Sequence, residues 1–154
     1  MSKTLGLALG SGGSRGVCHA GFLLALEEAG IKPDFIAGCS MGAVIGGCYA
    51  AGMSAKEIKS AILSVKARDI LDVTPAVITK MSILRGKKVR DLLIEFLRVK
   101  NLEEMPVPFR CVATELHSGK LHVFEKGDAA LAIQASSTVP TVFRPVVIDG
   151  KMFV

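Results

Sequence analysis

The stretch "DFIAGCSMGAVIGGCYAAG" (residues 34–52) joins two apolar segments through a glycine-flanked serine. "DFIAG" (34–38) is a short apolar run and reads as a buried strand. "MGAVIGGCYAAG" (41–52) is small and apolar throughout and reads as a helix that packs close to its neighbours and ends at Gly52. Between them lies Gly38-Cys39-Ser40-Met41-Gly42, a G-x-S-x-G pentapeptide. In such an elbow the chain turns sharply from strand to helix. The glycines leave room for the turn, and the serine projects above the sheet at the helix N-terminus. The pentapeptide by itself is common. The strand before it and the helix after it are what make Ser40 a candidate nucleophile. Cys39 could compete chemically, but it occupies a variable position of the elbow.

A serine hydroxyl needs a base in contact and donors aimed at the developing oxyanion. The donors are sought upstream. "TLGLAL" (4–9) reads as a strand, "GSGGSRG" (10–16) as a loop, and "VCHAGFLLALEEAG" (17–30) as a helix with apolar residues at Val17, Phe22, Leu23 and Leu26, late acids and Gly30 as its C-cap. A glycine-rich loop between strand and helix gathers backbone N–H groups that bind an anion. A dinucleotide site would need G-x-G-x-x-G, yet the sixth position from Gly10 is Arg15. It would also need an acid ending the second strand, where Gly38-Cys39-Ser40 stands instead. A phosphate loop would need Gly-Lys-Ser/Thr, and none follows. The remaining reading is an oxyanion hole for Ser40, the two loops facing one another at the carboxyl edge of neighbouring parallel strands.

The rest of the chain extends this pattern. "SAKEIKSAILSVKA" (54–67) opens with a Ser54–Glu57 capping box and carries Ile58, Ile62 and Val65 on one face. Residues 68–86 are mixed in character and are expected to be irregular or short-helical and the most mobile part, as a lid. "KKVRDLLIEFLRV" (87–99) is an amphipathic helix. "FRCVATEL" (109–116) and "LHVFEKG" (121–127) form a hairpin, Asp128 caps a helix over 129–136, and 145–154 forms a second hairpin around Asp149-Gly150. The order of elements predicts an α/β fold with a three-layer α/β/α arrangement and a mainly parallel sheet.

The totals agree. A chain of 154 residues, half of them hydrophobic, with 16 Gly, suits one α/β domain whose strands are buried on both faces. No apolar run reaches the roughly 18 residues needed to span a bilayer, and no signal peptide opens the chain, which reads as cytoplasmic. The four cysteines form no C-x-x-C pair and no zinc spacing, and read as small buried residues; no metal or cofactor is expected. The net charge of +5 includes a basic cluster, "LRGKKVRD" (84–91). It is either a solvated face or a weak, peripheral attraction to anionic membrane. Aromatics are too few and not interleaved with the basic residues, which argues against nucleic acid. His19 reads as a satisfied helix-start histidine, and His117 and His122 as solvated residues flanking a hairpin turn. None sits in a recognisable base motif.

These residues together resemble the patatin-like phospholipases, in their compact bacterial form. The matching blocks are Gly12-Gly13-Ser14-Arg15-Gly16, His19-x-Gly21, Gly38-Cys39-Ser40-Met41-Gly42, the strand pair "VATELHSGKLHVFEKG" (112–127), and "AIQASSTVPTVFRPVVIDGKMFV" (132–154), similar to the family's A-S-x-x-x-P-x-x-F-x-P segment. Ser11 departs from the triple-Gly run of many members. The resemblance implies a serine acyl-ester hydrolase with a Ser–Asp dyad and no histidine, acting on a lipid or other acyl ester. Ser40 would be the nucleophile and the loop around Gly12, Gly13, Ser14, Arg15 and Gly16 the oxyanion hole. Arg15 would orient the loop, meet a substrate phosphate, or only pin the loop. By the family's register Asp149 is a turn residue, and the dyad's Asp is expected immediately after Val154. Residues 1–154 would then be the N-terminal part of a longer domain and inactive alone. The alternative is a non-catalytic lipid- or partner-binding module on the same fold. Oligomeric state, head group and acyl length are not specified by these residues.

Overall fold

The structure, a computed structural model, describes residues 4–70 and 84–154. The elements run β1 (Gly6–Leu9), α1 (Cys18–Glu28), β2 (Phe35–Gly38), α2 (Met41–Ala50), α3 (Ala55–Ser64), α4 (Ala67–Ile70), α5 (Lys87–Leu97), β3 (Phe109–Thr114), β4 (Leu121–Phe124), α6 (Ala129–Ser137), β5 (Val146–Ile148) and β6 (Lys151–Phe153). Short 3-10 helices occupy Gly13–Val17 and Leu102–Glu104. The lid expected over 68–86 falls mainly on residues 71–83, outside the described residues.

Among the described residues, one sheet has the order β1-β2-β3-β4 and β5-β6 forms a separate hairpin. β1, β2 and β3 are parallel; β4 returns antiparallel beside β3. The α/β class and the mainly parallel sheet match the expectation. Both crossovers, β1 to β2 and β2 to β3, advance the same way across the sheet. Right-handed connections therefore put their helices on one face. The side chains record this. Leu9, Ile36, Phe109, Cys111, Ala113 and Phe124 are buried, whereas Phe35, Arg110, Leu121 and Val123, which alternate with them, are exposed. Burial on both faces is thus met on one face only, and the described residues do not supply the layer expected on the other.

Helix α2 lies directly on the strands because it carries glycine where it crosses them. A Cβ at Gly46 would press on Leu9, Ile36 and Phe109, and one at Gly47 would run into Ile133 of α6. Helices α2 and α6 pack on the sheet, and α1, α3 and α5 pack on these two helices. The buried Leu23, Ile36, Ile45, Leu97 and Ile133 tie the layers together, each contributing about 1.5–3 kcal/mol.

Local signals mostly hold, with three differences of detail. The helix α1 starts at Cys18, one residue later than read; along it Ala20 and Leu23 are buried and Leu24 and Leu26 pack against the core, while Val17 and Phe22 are exposed. The expected helix over 54–67 ends at Ser64, because Val65 is extended. The loop at 10–16 winds into a 3-10 turn from Gly13. The second hairpin turns through Asp149 (φ 49°) and Gly150 (φ 74°), the two left-handed residues of a two-residue turn.

The α3 capping box is formed: Glu57 N–H donates to Ser54 Oγ, and Ser54 N–H donates to Glu57 Oε2 at 2.8 Å. Arg98 Nη2 reaches the other Glu57 oxygen at 2.9 Å. The Ser54 amide, then Arg98, lower the Glu57 carboxyl from 4.5 to about 2. A carboxyl lowered by folding stabilises fully above its unfolded value, and this is lost as pH falls through the folded value. The melting-temperature gap between wild type and Glu57→Gln should therefore be constant above pH 4.5 and close as pH falls towards about 2. Thermal denaturation across that range checks it.

Candidate active site

The elbow is built by close backbone approach. Ser40 is the N-cap of α2, with φ 52° and ψ −121°, a conformation L-residues rarely adopt. Cys39 N–H donates to the Leu9 carbonyl at 3.0 Å, fastening the elbow to the end of β1. Gly38 and Gly42 make the turn sterically feasible. A Cβ at Gly38 would meet the Ala43 backbone, and one at Gly42 would meet the carbonyl oxygens of Leu9 and Gly10. The Ser40 carbonyl accepts from Ala43 and Val44, starting the helix, and the Ser40 amide donates to Ser136 Oγ at 2.9 Å. Beyond its place in the segment resembling A-S-x-x-x-P, nothing in the local sequence around Ser136 marks it as a site residue.

The glycine-rich turn sits against this elbow. A Cβ at Gly16 would meet the Met41 side chain, so the turn and the residue after Ser40 are in direct contact. Gly13 is left-handed at φ 52°, and Arg15 N–H closes the turn on the Gly12 carbonyl at 3.0 Å. The amides of Gly13 and Ser14 precede the first such bond and have no partner within the turn. His19, on α1, donates from Nε2 to the Gly10 carbonyl at 2.9 Å and so braces the loop from behind. Ser14 and Arg15 are exposed, and among the described residues Arg15 forms no ion pair.

The end of the chain comes to the same place. Thr114 and Val154 exchange both backbone hydrogen bonds, at 2.8 and 3.0 Å, and Leu116 N–H donates to the Met152 carbonyl. Strand β6 therefore lies antiparallel on the edge of β3 that β2 occupies one step earlier, where Gly38 pairs with Cys111. β2 and β6 meet head-on along that edge. Cys111 and Thr114 are three positions apart, or about 10 Å at the usual strand rise. Ser40 turns within this gap, and the backbone at Val154 is directed into it. Asp149 lies at the far tip of the β5-β6 hairpin.

Other candidates are placed elsewhere. His117 lies on the β3-β4 turn, its amide bonded to Glu115. His122 is exposed, as expected, and its ring also meets Phe124 edge-on and Phe153 at a tilt, with centroids 4.5 and 5.1 Å away. Among the described residues no histidine is bonded to Ser40. The cysteines divide. Cys48 and Cys111 are buried, and burial pushes both thiols up to about 12. Cys18 is exposed and Cys39 half-buried, unlike the buried role expected for all four. In the basic cluster, Lys87 pairs with Asp91, Arg90 with Asp128, and Lys88 donates to the Arg68 carbonyl. Two surface cavities of about 490 and 500 Å³ lie between α3 and α5 and beside β4; neither is lined by Ser40 or the glycine-rich turn. Among the described residues no helix is long and apolar enough to cross a membrane.

Residues 7–154 match the patatin-like phospholipase family. An uncharacterized NTE family protein of Mycobacterium tuberculosis is 40% identical over 98% of this chain and 42% of its own length. The lysophospholipase NTE1 of Mycosarcoma maydis is 32% identical over 98% of this chain and 8% of its own length. The chain thus spans less than half the length of these relatives. Among solved structures, VipD from Legionella pneumophila superimposes with a TM-score of 0.79 at 16% identity, over 99% of this chain and 45% of its own. ExoU of Pseudomonas aeruginosa, solved with SpcU, gives 0.68 at 18% identity, over 89% and 38%.

The three glycines facing the elbow should respond to alanine in order of what the Cβ meets. Gly42→Ala strikes backbone oxygens and should cost about 3 kcal/mol or more, and Gly16→Ala, against the flexible Met41, about 1–3 kcal/mol. Gly10→Ala meets nothing within 4 Å and should stay within about 0.5 kcal/mol of wild type. Chemical denaturation of the three variants gives the order.

Proposed function

Because the chain belongs to the patatin-like phospholipase family, we propose that the full-length protein is a serine acyl-ester hydrolase acting on lipids, with Ser40 as its nucleophile and a carboxylate as its base. The observation that carries this reading is the head-on approach of β2 and β6, with Ser40 in the gap between them. A residue following Val154 in strand register would lie opposite Ala113, at the level of Ser40. The resemblance expects an Asp there.

In this mechanism Ser40 Oγ attacks the ester carbonyl carbon while its proton passes to the carboxylate. The carbonyl oxygen becomes an oxyanion, held by the amides of the turn Gly12, Gly13 and Ser14. Arg15 and Gly16 close and seat that turn, Arg15 through the Gly12 carbonyl and Gly16 by its contact with Met41. Collapse of the intermediate breaks the bond to the alcohol, which takes the proton back from the carboxyl group. Water, deprotonated by the same carboxylate, then cleaves the acyl-enzyme and frees the acid and Ser40. The lysophospholipase name of a relative supports a phospholipid or lysophospholipid substrate. The exposed Arg15 beside the turn is suited to meet its phosphate. The protein would meet that lipid peripherally, from the cytoplasm.

A fluorophosphonate probe should label the full-length protein at Ser40. Ser40→Ala should abolish labelling and lower ester cleavage at least about a thousandfold. Replacing the first carboxylate beyond Val154 by its amide should do the same, and residues 1–154 alone should turn over little. Wild-type labelling of the Ser40→Ala protein would refute the assignment. Lipid binding without hydrolysis by the full-length protein would favour a binding module instead.

A further inference from the structure

We propose that Ser136 is a positioning residue for the nucleophile: its hydroxyl oxygen holds the Ser40 amide and keeps the elbow in its strained conformation. This rests on the reading of Ser40 as the nucleophile. A non-glycine residue at φ 52° and ψ −121° persists only where its surroundings over-determine it. On one side Ser40 is held by its helix, through the bonds from Ala43 and Val44 to its carbonyl. On the other side its N–H is taken by Ser136 Oγ at 2.9 Å. That partner comes from 96 residues away in sequence and is only 9% exposed, so water is poorly placed to replace it.

The packing of α6 aims Ser136 at this target. Gly47 lets α6 come close enough for Ile133 to fill the space a Cβ would take, and one turn later along α6 Ser136 meets Ser40. Ile133 and Ala135 are fully buried and leave α6 little freedom to slide. Three hydroxyl residues follow one another here, and they do different things. Ser137 donates to the Ile133 and Gln134 carbonyls and Thr138 to that of Gln134, all within their own helical turn. Ser136 instead reaches across to the elbow. Attack by Ser40 requires its Oγ to be held in line with the ester carbonyl, and a displacement of about 1 Å can lower a rate about a hundredfold. Ser136 touches no reacting atom in this scheme. It acts through the backbone of Ser40.

The test compares Ser136→Ala and Ser136→Thr in the full-length protein. The readouts are fluorophosphonate labelling rate, kcat and KM for ester cleavage, and amide hydrogen exchange of residues 38–42. Ser136→Ala should lower labelling and kcat about 10–100-fold and leave KM within about threefold, with faster exchange at the elbow. Ser136→Thr keeps the oxygen and should recover most of the loss. A role in packing alone predicts the opposite order, because alanine suits a helix better and threonine adds a methyl to a buried position. Wild-type exchange and labelling in Ser136→Ala, or a threonine variant worse than alanine, would overturn the proposal. If the wild-type protein fails to label, the hydrolase reading fails. The exchange comparison still decides whether Ser136 holds the elbow.

Discussion

At the junction of β2 and α2 a serine is held in a backbone conformation that L-residues avoid, and the elements around it are arranged to keep it there. Such a conformation costs on the order of 1–3 kcal/mol and relaxes unless its neighbours forbid it. Here they forbid it on every side. Cys39 is tied to β1 through the Leu9 carbonyl, α2 starts on the Ser40 carbonyl, and Ser136 takes the Ser40 amide. Gly38 and Gly42 bring backbone within contact of backbone, so the strand and the helix enclose the turn. The glycines of α2 extend that closeness along the helix, first to the sheet at Gly46 and then to α6 at Gly47.

The same crowding explains why the glycine-rich turn faces Ser40. Two parallel strands in adjacent positions end on the same edge, so the loops that follow them are neighbours by topology. Contact is then made through Gly16 and Met41, and His19 holds the far side of the loop at Gly10. The turn leaves amides without internal partners next to a serine, an arrangement that can hold an anion. The sheet treats its two faces differently. One face is packed under α2 and α6, while Phe35, Leu121 and Val123 stand exposed on the other. The cause is the strand order β1-β2-β3, which sends successive right-handed crossovers to one face.

Much of this was legible in the amino-acid order, wherever a local signal matched a local structure. The Ser54–Glu57 capping box, the Asp128 cap, and the hairpin turn at Asp149-Gly150 all depend on residues within a few positions of each other, and all form as read. The strand–elbow–helix around Ser40 is of the same kind. Readings that depended on distant neighbours fared less well. Phe22 fits the apolar spacing of α1 yet is exposed, because the surface α1 presents to α2 and α3 is centred on Ala20 and Leu23. His122 is exposed as read, but its ring also touches Phe124 and Phe153, the latter 31 positions later, a contact that no local pattern announces.

The amino-acid order sets the helix and strand segments, the sharp turn at Gly38–Gly42, and the glycine-rich turn over residues 10–16. Each is set by steric and hydrogen-bonding rules that act within a turn or two of chain. Which distant segments come to the elbow is fixed by long-range packing. Ser136 reaches its amide because α6 packs into the space left by Gly47. The backbone at Val154 points into the gap beside it because β6 pairs with β3 where β2 stops. Both placements come from helix packing and strand register rather than from proximity along the chain.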